Sequence, residues 1–171
     1  MKRYCLYLFI LIGISCSAEL KAQKNGTVYN GNDPAVRYTG RTLVSPDGSV
    51  AFDWVGTYLE TRFTGGKLSV KVSETGTSYY NVFVDGKLHK VVKVCGTDTL
   101  IHLVSGIDKR IHSLKIQKRS EGEFGKTTVH QFVLSGSGRL AEEPAVRTRH
   151  IEFIGNSLTC GYGTDGKHRD E

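Results

Sequence analysis

Long helical patterns are missing from most of this 171-residue sequence. Before residue 150, no stretch of about 12 residues repeats its apolar positions at the spacing of an amphipathic helix. A parallel sheet needs long, usually helical, crossovers between its strands, so an α/β fold is not expected in that part of the chain. Proline is also scarce, with three residues against 20 glycines. That balance favours many tight turns.

Basic runs and cysteine clusters are missing as well. The net charge is +6, but charges of both signs are interleaved and no long basic run occurs. A nucleic-acid-binding surface is therefore not indicated. The four cysteines include no CxxC pair, which excludes that kind of metal site, and neither a metal nor a cofactor is expected. Cys95 and Cys160 are too few for a disulfide framework and are expected to be separate, partly buried thiols.

The first 22 residues are typical of a secretory signal peptide. Lys2 and Arg3 precede an apolar run at residues 4–14, which is too short to span a bilayer comfortably. Small residues follow, and cleavage is expected after Ala18 or Ala22. A buried first strand or a transmembrane anchor is the alternative interpretation.

Lipidation at Cys16 is a further alternative for this leader. Residues 13–16 read Gly-Ile-Ser-Cys and loosely resemble a bacterial lipoprotein box, although Gly13 stands where such boxes usually have Leu. The protein is therefore expected to be secreted or periplasmic, or an outer-membrane lipoprotein if Cys16 is modified.

Residues 35–137 are dominated by strand and turn patterns. Residues 67–73 and 110–117 alternate apolar and polar side chains, and Asp85-Gly86 between two strand patterns is a hairpin signal. Eight or nine short strands are predicted about 8–12 residues apart, which is typical of an all-β sandwich or barrel. The predicted strands include residues 35–44, 49–54, 57–63, 67–73, 79–84, 87–94, 99–104, 110–117 and 127–134.

The composition changes after residue 138. Residues 139–148 read as a linker between a β-sandwich at 23–138 and a second unit at 149–171. The second unit begins with a predicted strand at 149–154, followed at once by Gly155-Asn156-Ser157 and a polar end. We expect this to be the start of a second domain that is incomplete in these 171 residues.

The segment at Gly155-Asn156-Ser157 is suited to presenting a catalytic nucleophile. A strand delivers Ser157 to a sheet edge, and a helix beginning just after it aims free backbone N–H groups at a developing oxyanion. The spacing is not the Gly-x-Ser-x-Gly elbow, because Thr159 occupies the last glycine position. The alternative is that Asn156 and Ser157 only cap a helix.

Residues 151–163 (Ile-Glu-Phe-Ile-Gly-Asn-Ser-Leu-Thr-Cys-Gly-Tyr-Gly) resemble the first block of the SGNH, or GDSL-type, hydrolases. They are most similar to the carbohydrate esterases of family two, in which a jelly-roll β-sandwich precedes the SGNH domain. A Phe-Val-Asp-Gly turn like residues 83–86 occurs in that sandwich. The resemblance covers residues 35–166. It implies an all-β, jelly-roll-like sandwich followed by the first strand and turn of an α/β SGNH hydrolase domain.

The resemblance also implies an activity and the roles of residues. Ser157 matches the nucleophile, and its own backbone N–H matches an oxyanion donor. Gly155, Asn156, Gly161 and Gly163 match structural positions of the motif, with Asn156 standing where many relatives have Asp. The implied reaction removes acetyl groups from plant polysaccharides such as xylan or mannan through an acyl-enzyme. The protein is expected to act as a monomer on such glycans.

The general base that this reaction needs is not expected within the 171 residues. The family supplies a His far downstream, together with further oxyanion donors, so the chain alone is expected to be inactive. His168 lies in a polar tail, and His150 directly precedes the motif. The histidines in strand patterns are expected to be ordinary surface or edge residues: His89, His102, His112 and His130.

A non-catalytic module is the competing function. The sandwich alone would then bind carbohydrate, or pack as a structural accessory on a catalytic domain. Aromatic faces suit sugar rings, and the candidates are Trp54, Tyr38, Tyr58, Tyr79 and Tyr80. The alternative for these aromatics is that they pack in the core or across strands.

Overall fold

The protein is nearly all β. The computed structural model describes residues 26–141, 148–149 and 151–160, so the predicted leader at 1–22 lies outside the described residues, as do Gly161 and Gly163. The strands are β1 (Thr27–Asn30), β2 (Val36–Thr39), β3 (Leu43–Val44), β4 (Val50–Phe52), β5 (Tyr58–Val84), β6 (Lys87–Lys118) and β7 (Thr127–Ser135). A 3₁₀ turn lies at Gly122–Phe124, and one short helix, α1, at Ser157–Cys160.

The two long strands β5 and β6 form one hairpin that rolls up on itself. Its tip is the predicted turn at Asp85-Gly86, where both residues have positive φ (50° and 76°), as a type I′ turn requires. From the tip the ladder runs back from Val84↔Lys87 to Tyr58↔Gln117. Residues 80–84 pair a second time, with residues 114–118. The rolled hairpin confirms the expected jelly-roll-like sandwich.

The strand count differs from the sequence prediction because several predicted strands are continuous. The ladder between β5 and β6 shifts register around Gly66 and again between Glu74 and Thr77. At such bulges a strand bends without leaving its sheet. The predicted strands that merge into β5 are 57–63, 67–73 and 79–84, and those that merge into β6 are 87–94, 99–104 and 110–117.

The predicted last strand, β7, is confirmed and lies between β5 and β4 in the sheet, with β1 also pairing to it. Leu140 forms a bridge with Phe63, and residues 139–141 run beside residues 62–64. The sandwich therefore reaches at least residue 141, inside the segment predicted as a linker. The core is closed mainly by side chains that are almost fully buried: Leu59, Phe63, Leu68, Val82, Leu103, Leu114, Phe132 and Leu134.

Cys95 is an exposed, free thiol, so its expected partial burial is wrong. It follows Val94, whose side chain is buried in the core. Because successive residues of a strand point to opposite faces, Cys95 faces solvent. The side chain of Cys160 lies outside the described part. Among the residues described, no helix has the length and apolar character needed to cross a bilayer.

His112 is buried beneath the hairpin tip, which corrects its expected surface position. Its Nδ1 lies 2.8 Å from Asp85 Oδ2 and its Nε2 lies 2.9 Å from Asp108 Oδ1. The Arg110 guanidinium lies 3.8 Å from the carboxylate of Asp85 and 3.2 Å from that of Asp108. Burial opposes a charge on the ring, but hydrogen bonds and charges from Asp85 and Asp108 outweigh it and raise the pKa of His112 above its usual 6.5. The protonated ring donates to both carboxylates and links the hairpin tip to Asp108 in β6.

This cluster predicts a pH-dependent stability. A raised folded-state pKa stabilises the protein fully below about pH 6.5, and the contribution is lost as pH rises through the folded-state value. The free energy of unfolding should therefore fall as pH rises from about 6.5 into the mildly alkaline range. Urea unfolding across that range should show a shallower fall in His112→Gln. The matched control is His102→Gln, an exposed histidine bonded to Ser69 Oγ, which should keep the wild-type slope. An unchanged slope in His112→Gln would contradict this role.

Candidate functional site

An open cleft lies where the serine segment meets two loops of the sandwich. One wall comes from the turn before β5, a second from the loop before β7, and the third from the segment that precedes and begins α1. The lining residues are Trp54, Val55, Glu121, Gly122, Glu123, Gly155, Asn156 and Ser157. We call this the Ser157 cleft. It brings the sequence-predicted Gly155, Asn156 and Ser157 together with sandwich residues.

The serine wall is shaped by a cap and a close backbone approach. Asn156 Oδ1 accepts the backbone N–H of Leu158 at 3.0 Å, and the Asn156 carbonyl accepts the N–H of Thr159. Asn156 is thus the N-cap and Ser157 the first residue of α1. A Cβ at position 155 would come within 2.5 Å of Thr159 Cβ, so only glycine fits there. The capping role that the sequence left open for Asn156 is present, and it also fixes the start of the turn that carries Ser157.

The predicted strand at 149–154 is not formed in its described part. Residues 151–156 have no regular structure, and Ile151, Phe153 and Ile154 are exposed, Ile154 at 91%. A strand needs a neighbour for its backbone hydrogen bonds, and no strand among the described residues pairs with this segment. Its apolar side chains therefore remain exposed to solvent, because no neighbouring strand among the described residues covers them.

The Trp54 wall is a tight turn fastened to the end of β6. The Thr57 N–H donates to the Trp54 carbonyl at 3.3 Å and closes the turn. The backbone N–H of Gly56 donates to the Lys118 carbonyl, and that of Lys118 donates to the Thr57 carbonyl, both at 2.9 Å. Arg41 lies over the Trp54 ring with its guanidinium carbon 5.7 Å from the ring centre. Trp54 is nonetheless 58% exposed.

The acidic wall is held by the side chain of the same Lys118. Phe124 N–H donates to the Glu121 carbonyl and Gly125 N–H to the Gly122 carbonyl, which forms the 3₁₀ turn. Lys118 Nζ donates to the Gly125 carbonyl at 3.0 Å, just past that turn. Lys118 therefore anchors both sandwich walls, one through its backbone and the other through its ammonium group.

Lys118 belongs to a buried polar cluster under the cleft. Its Nζ also donates to Ser78 Oγ at 2.5 Å and lies 5.5 Å from the Tyr80 ring centre. Tyr80 and Thr127 share a hydrogen bond, and Thr127 Oγ1 donates to the buried Glu74. Burial lowers the pKa of Lys118, with the charge of Glu74 opposing the shift. Burial also raises the pKa of Tyr80 above its usual range.

The cleft offers a hydroxyl and two carboxylates but no imidazole. No histidine lines it among the residues that the structure describes. His102 bonds Ser69, His130 bonds Ser73, and His112 is held by two aspartates. His150 and His168 lie outside the described residues. In the described ranges, no group of three or more His, Cys, Asp or Glu side chains is placed to hold a metal ion.

Sequence reasoning missed Glu121 and Glu123, which lie between the predicted strands at 110–117 and 127–134. Of the candidate aromatics, Trp54 alone lines the cleft. Tyr80 is buried, Tyr38 donates to the Gly31 carbonyl, and Lys115 covers the Tyr58 ring at 4.2 Å. For these three, the alternative that the aromatics pack in the core or across strands is therefore confirmed.

Comparison with known proteins identifies relatives for most of the chain. The family model described as "Carbohydrate esterase 2 N-terminal" matches residues 38–144. The "Cellulase/esterase CelE" of Acetivibrio thermocellus is 33% identical over 140 residues, which are 82% of this chain and 17% of that protein. An "Acetylxylan esterase / glucomannan deacetylase" of Cellvibrio japonicus is 29% identical over 135 residues, 78% of this chain and 37% of that protein. The chain thus spans well under half the length of these curated relatives.

Solved structures agree in fold. A family two carbohydrate esterase from Cellvibrio japonicus superposes with a TM-score of 0.72 at 26% identity, covering 84% of this chain and 44% of that one. A family two carbohydrate esterase from Clostridium thermocellum, in complex with cellohexaose, gives a TM-score of 0.71 at 34% identity and covers 78% of this chain and 41% of that one. The rolled hairpin of β5 and β6 lies within the residues that the family model matches.

Proposed function

Because the chain belongs to the carbohydrate esterase 2 N-terminal family, we propose that it is the sandwich and nucleophile-bearing part of an esterase that deacetylates plant polysaccharides. The observation that carries this proposal is the placement of Ser157 at the start of α1, in a cleft whose other walls come from the sandwich. A capped turn presents the hydroxyl, and two loops of the sandwich leave room for a glycan beside it.

The proposed reaction is a two-step acyl transfer. Ser157 Oγ attacks the acetyl carbonyl, the sugar oxygen leaves with a proton, and acetate is bound as an ester on Ser157. Water then attacks that ester, one of its protons passes to Ser157 Oγ, and acetic acid leaves. The backbone N–H of Ser157 is the proposed oxyanion donor, as the family resemblance implies, and it lies at the start of α1.

A base must take the proton from Ser157, and none of the described cleft residues suits that role. The two carboxylates, Glu121 and Glu123, come from the sandwich. A carboxylate is a weak base near neutral pH unless its pKa is raised. We propose an imidazole as the base, as the family resemblance implies. On this basis we expect that the described residues alone do not hydrolyse acetyl esters.

The chimera experiment tests the esterase proposal. In a first chimera, residues 26–160 replace the matching part of the Cellvibrio japonicus esterase, which then supplies the remainder of its own chain. It should release acetate from acetylated xylan and acetylated glucomannan within about 100-fold of the parent rate, a margin that allows for small misplacement of groups. A coupled acetate assay measures this rate.

A second chimera separates the serine segment from the sandwich. It carries only residues 26–141 of this chain and keeps the relative's own serine block. An active second chimera beside a folded but inactive first one would contradict the role of Ser157. Two folded, inactive chimeras would contradict the proposal that this sandwich serves an esterase.

Export is proposed on separate grounds. The charged start, short apolar run and small residues of residues 1–22 support cleavage and secretion, with lipidation at Cys16 as the alternative. Extracellular or periplasmic placement suits a polymer substrate that does not enter the cytoplasm. We propose a monomer as the working form.

A further inference from the structure

We propose that Trp54 and the Glu121–Glu123 loop form a sugar-binding subsite for a neutral pyranose, next to the serine that receives the acyl group. This inference rests on the proposed function, since it places one ring of the same glycan in the Ser157 cleft. It adds a role for the sandwich, which binds the substrate in addition to packing beside a catalytic domain. Nothing in the serine motif itself indicates this role.

Trp54 has the geometry of a stacking platform. It is the only tryptophan of the chain, and 58% of it is exposed although it borders a cleft. A large aromatic face exposed in a concave site is commonly a contact surface, because exposure of so much apolar area is otherwise unfavourable. One face of a pyranose carries C–H groups, which complement the electron-rich face of an indole ring.

Another wall of the cleft supplies hydrogen-bond acceptors. Glu121 and Glu123 line it, and ionised carboxylates accept hydrogen bonds from hydroxyl groups. A sugar needs such acceptors because each buried hydroxyl must find a partner. The two negative charges also repel an anionic ring, although Arg41 over Trp54 moderates the local field. The subsite therefore suits a neutral glycan such as xylan, cellulose or glucomannan, and disfavours a polyuronate.

Both sides of the subsite are already in place without ligand. The Trp54 turn is closed by Thr57 and fastened to the Lys118 backbone, while the acidic loop is fastened to Lys118 Nζ through the Gly125 carbonyl. A preformed site loses less conformational entropy on binding than a mobile one. Lys118 thus sets the separation of the stacking face from the hydrogen-bonding carboxylates.

The single tryptophan allows a direct test on the full chain. Titration with cellohexaose or xylohexaose should shift Trp54 fluorescence to shorter wavelength and saturate below about 10 mM, the range of a weak specific site. Hexagalacturonate should bind at least about tenfold more weakly, because it brings carboxylates against Glu121 and Glu123. Calorimetry then gives the affinities of variants that lack the fluorophore.

Three variants test whether binding occurs at Trp54. Trp54→Ala should lower the affinity for cellohexaose at least about tenfold. The matched control Tyr79→Ala removes another exposed aromatic that does not line the cleft, keeps the backbone N–H that donates to Ser120 Oγ, and should bind as the parent does. Ser157→Ala should also bind as the parent does, because hydrolysis is not needed for binding.

The outcomes distinguish this inference from the esterase proposal. Saturable binding that Trp54→Ala weakens and Tyr79→Ala leaves intact supports the subsite, even if the first chimera proves inactive. Absence of a fluorescence change by about 10 mM, or equal losses in Trp54→Ala and Tyr79→Ala, overturns it even if the chimera is active. Equal affinity for hexagalacturonate would overturn the part assigned to Glu121 and Glu123.

Discussion

Exchanging Ser157 for alanine in the first chimera should lower kcat/KM for an aryl acetate by about 10³- to 10⁶-fold, the range found when a catalytic serine is removed. An aryl acetate has a good leaving group and no glycan, so its hydrolysis reports on the nucleophile alone. Without Oγ no acyl-enzyme forms, and only direct attack by water remains. The fold should be unaffected, because Ser157 is exposed at the start of a four-residue helix.

Two further variants make the result specific to Ser157. Ser137→Ala removes an exposed hydroxyl from the sandwich side and should leave kcat/KM unchanged. Asn156→Asp should retain activity within about tenfold, since a carboxylate caps the Leu158 N–H as an amide oxygen does. If Ser157→Ala kept activity within tenfold of the parent chimera, a different nucleophile would be needed and the acyl-enzyme role would be withdrawn.

Replacing Lys118 with alanine should cost about 3–5 kcal/mol of unfolding free energy, because its buried ammonium group makes two hydrogen bonds and bonds to charged groups contribute about 1.5–3 kcal/mol each. Lys118 is 1% exposed and bonds Ser78 Oγ and the Gly125 carbonyl. Its loss leaves those acceptors without their donor and Glu74 without its nearby counter-charge. Urea unfolding of the full chain, followed by fluorescence of Trp54, measures the change.

The controls for Lys118 separate charge from packing. Lys93→Ala removes an exposed lysine of the same strand and should change stability by less than about 0.5 kcal/mol, as surface substitutions usually do. Lys118→Met restores most of the buried volume but not the charge. Combining Lys118→Met with Glu74→Gln should recover part of the loss, because the stranded carboxylate is then neutral. A cost below about 1 kcal/mol for Lys118→Ala would contradict the anchoring role.

The parts of the fold that are determined by the local sequence were predictable. Asp85-Gly86 specifies its own turn through positive φ, and the alternating run at β7 specifies a half-buried strand. The merging of short strands into β5 and β6 was not predictable from periodicity. The ladder between β5 and β6 continues through bulges near Gly66 and between Glu74 and Thr77. At these positions the sequence shows only glycines and a break in the alternation of apolar and polar residues.

The site was predictable only on its serine side. Ser157, Asn156 and Gly155 are recognisable because a short segment carries the whole motif. Glu121 and Glu123 lie more than thirty residues earlier in a segment without any motif, and only the closure of the sandwich places them beside Ser157. The strand at 149–154 failed for a related reason, since an apolar run becomes a strand only when another strand is present to pair with it.

The rolled hairpin also sets an order of assembly. Pairing begins most easily at the Asp85-Gly86 tip, where the loop to be closed is shortest, and reaches Tyr58↔Gln117 only after the intervening ladder has formed. We therefore expect the junction of Thr57 with Lys118 to be among the last contacts made during folding. The two walls of the Ser157 cleft that come from the sandwich are attached to that junction through Lys118. The Ser157 cleft thus lies at the seam of the roll, where the two ends of the long hairpin meet.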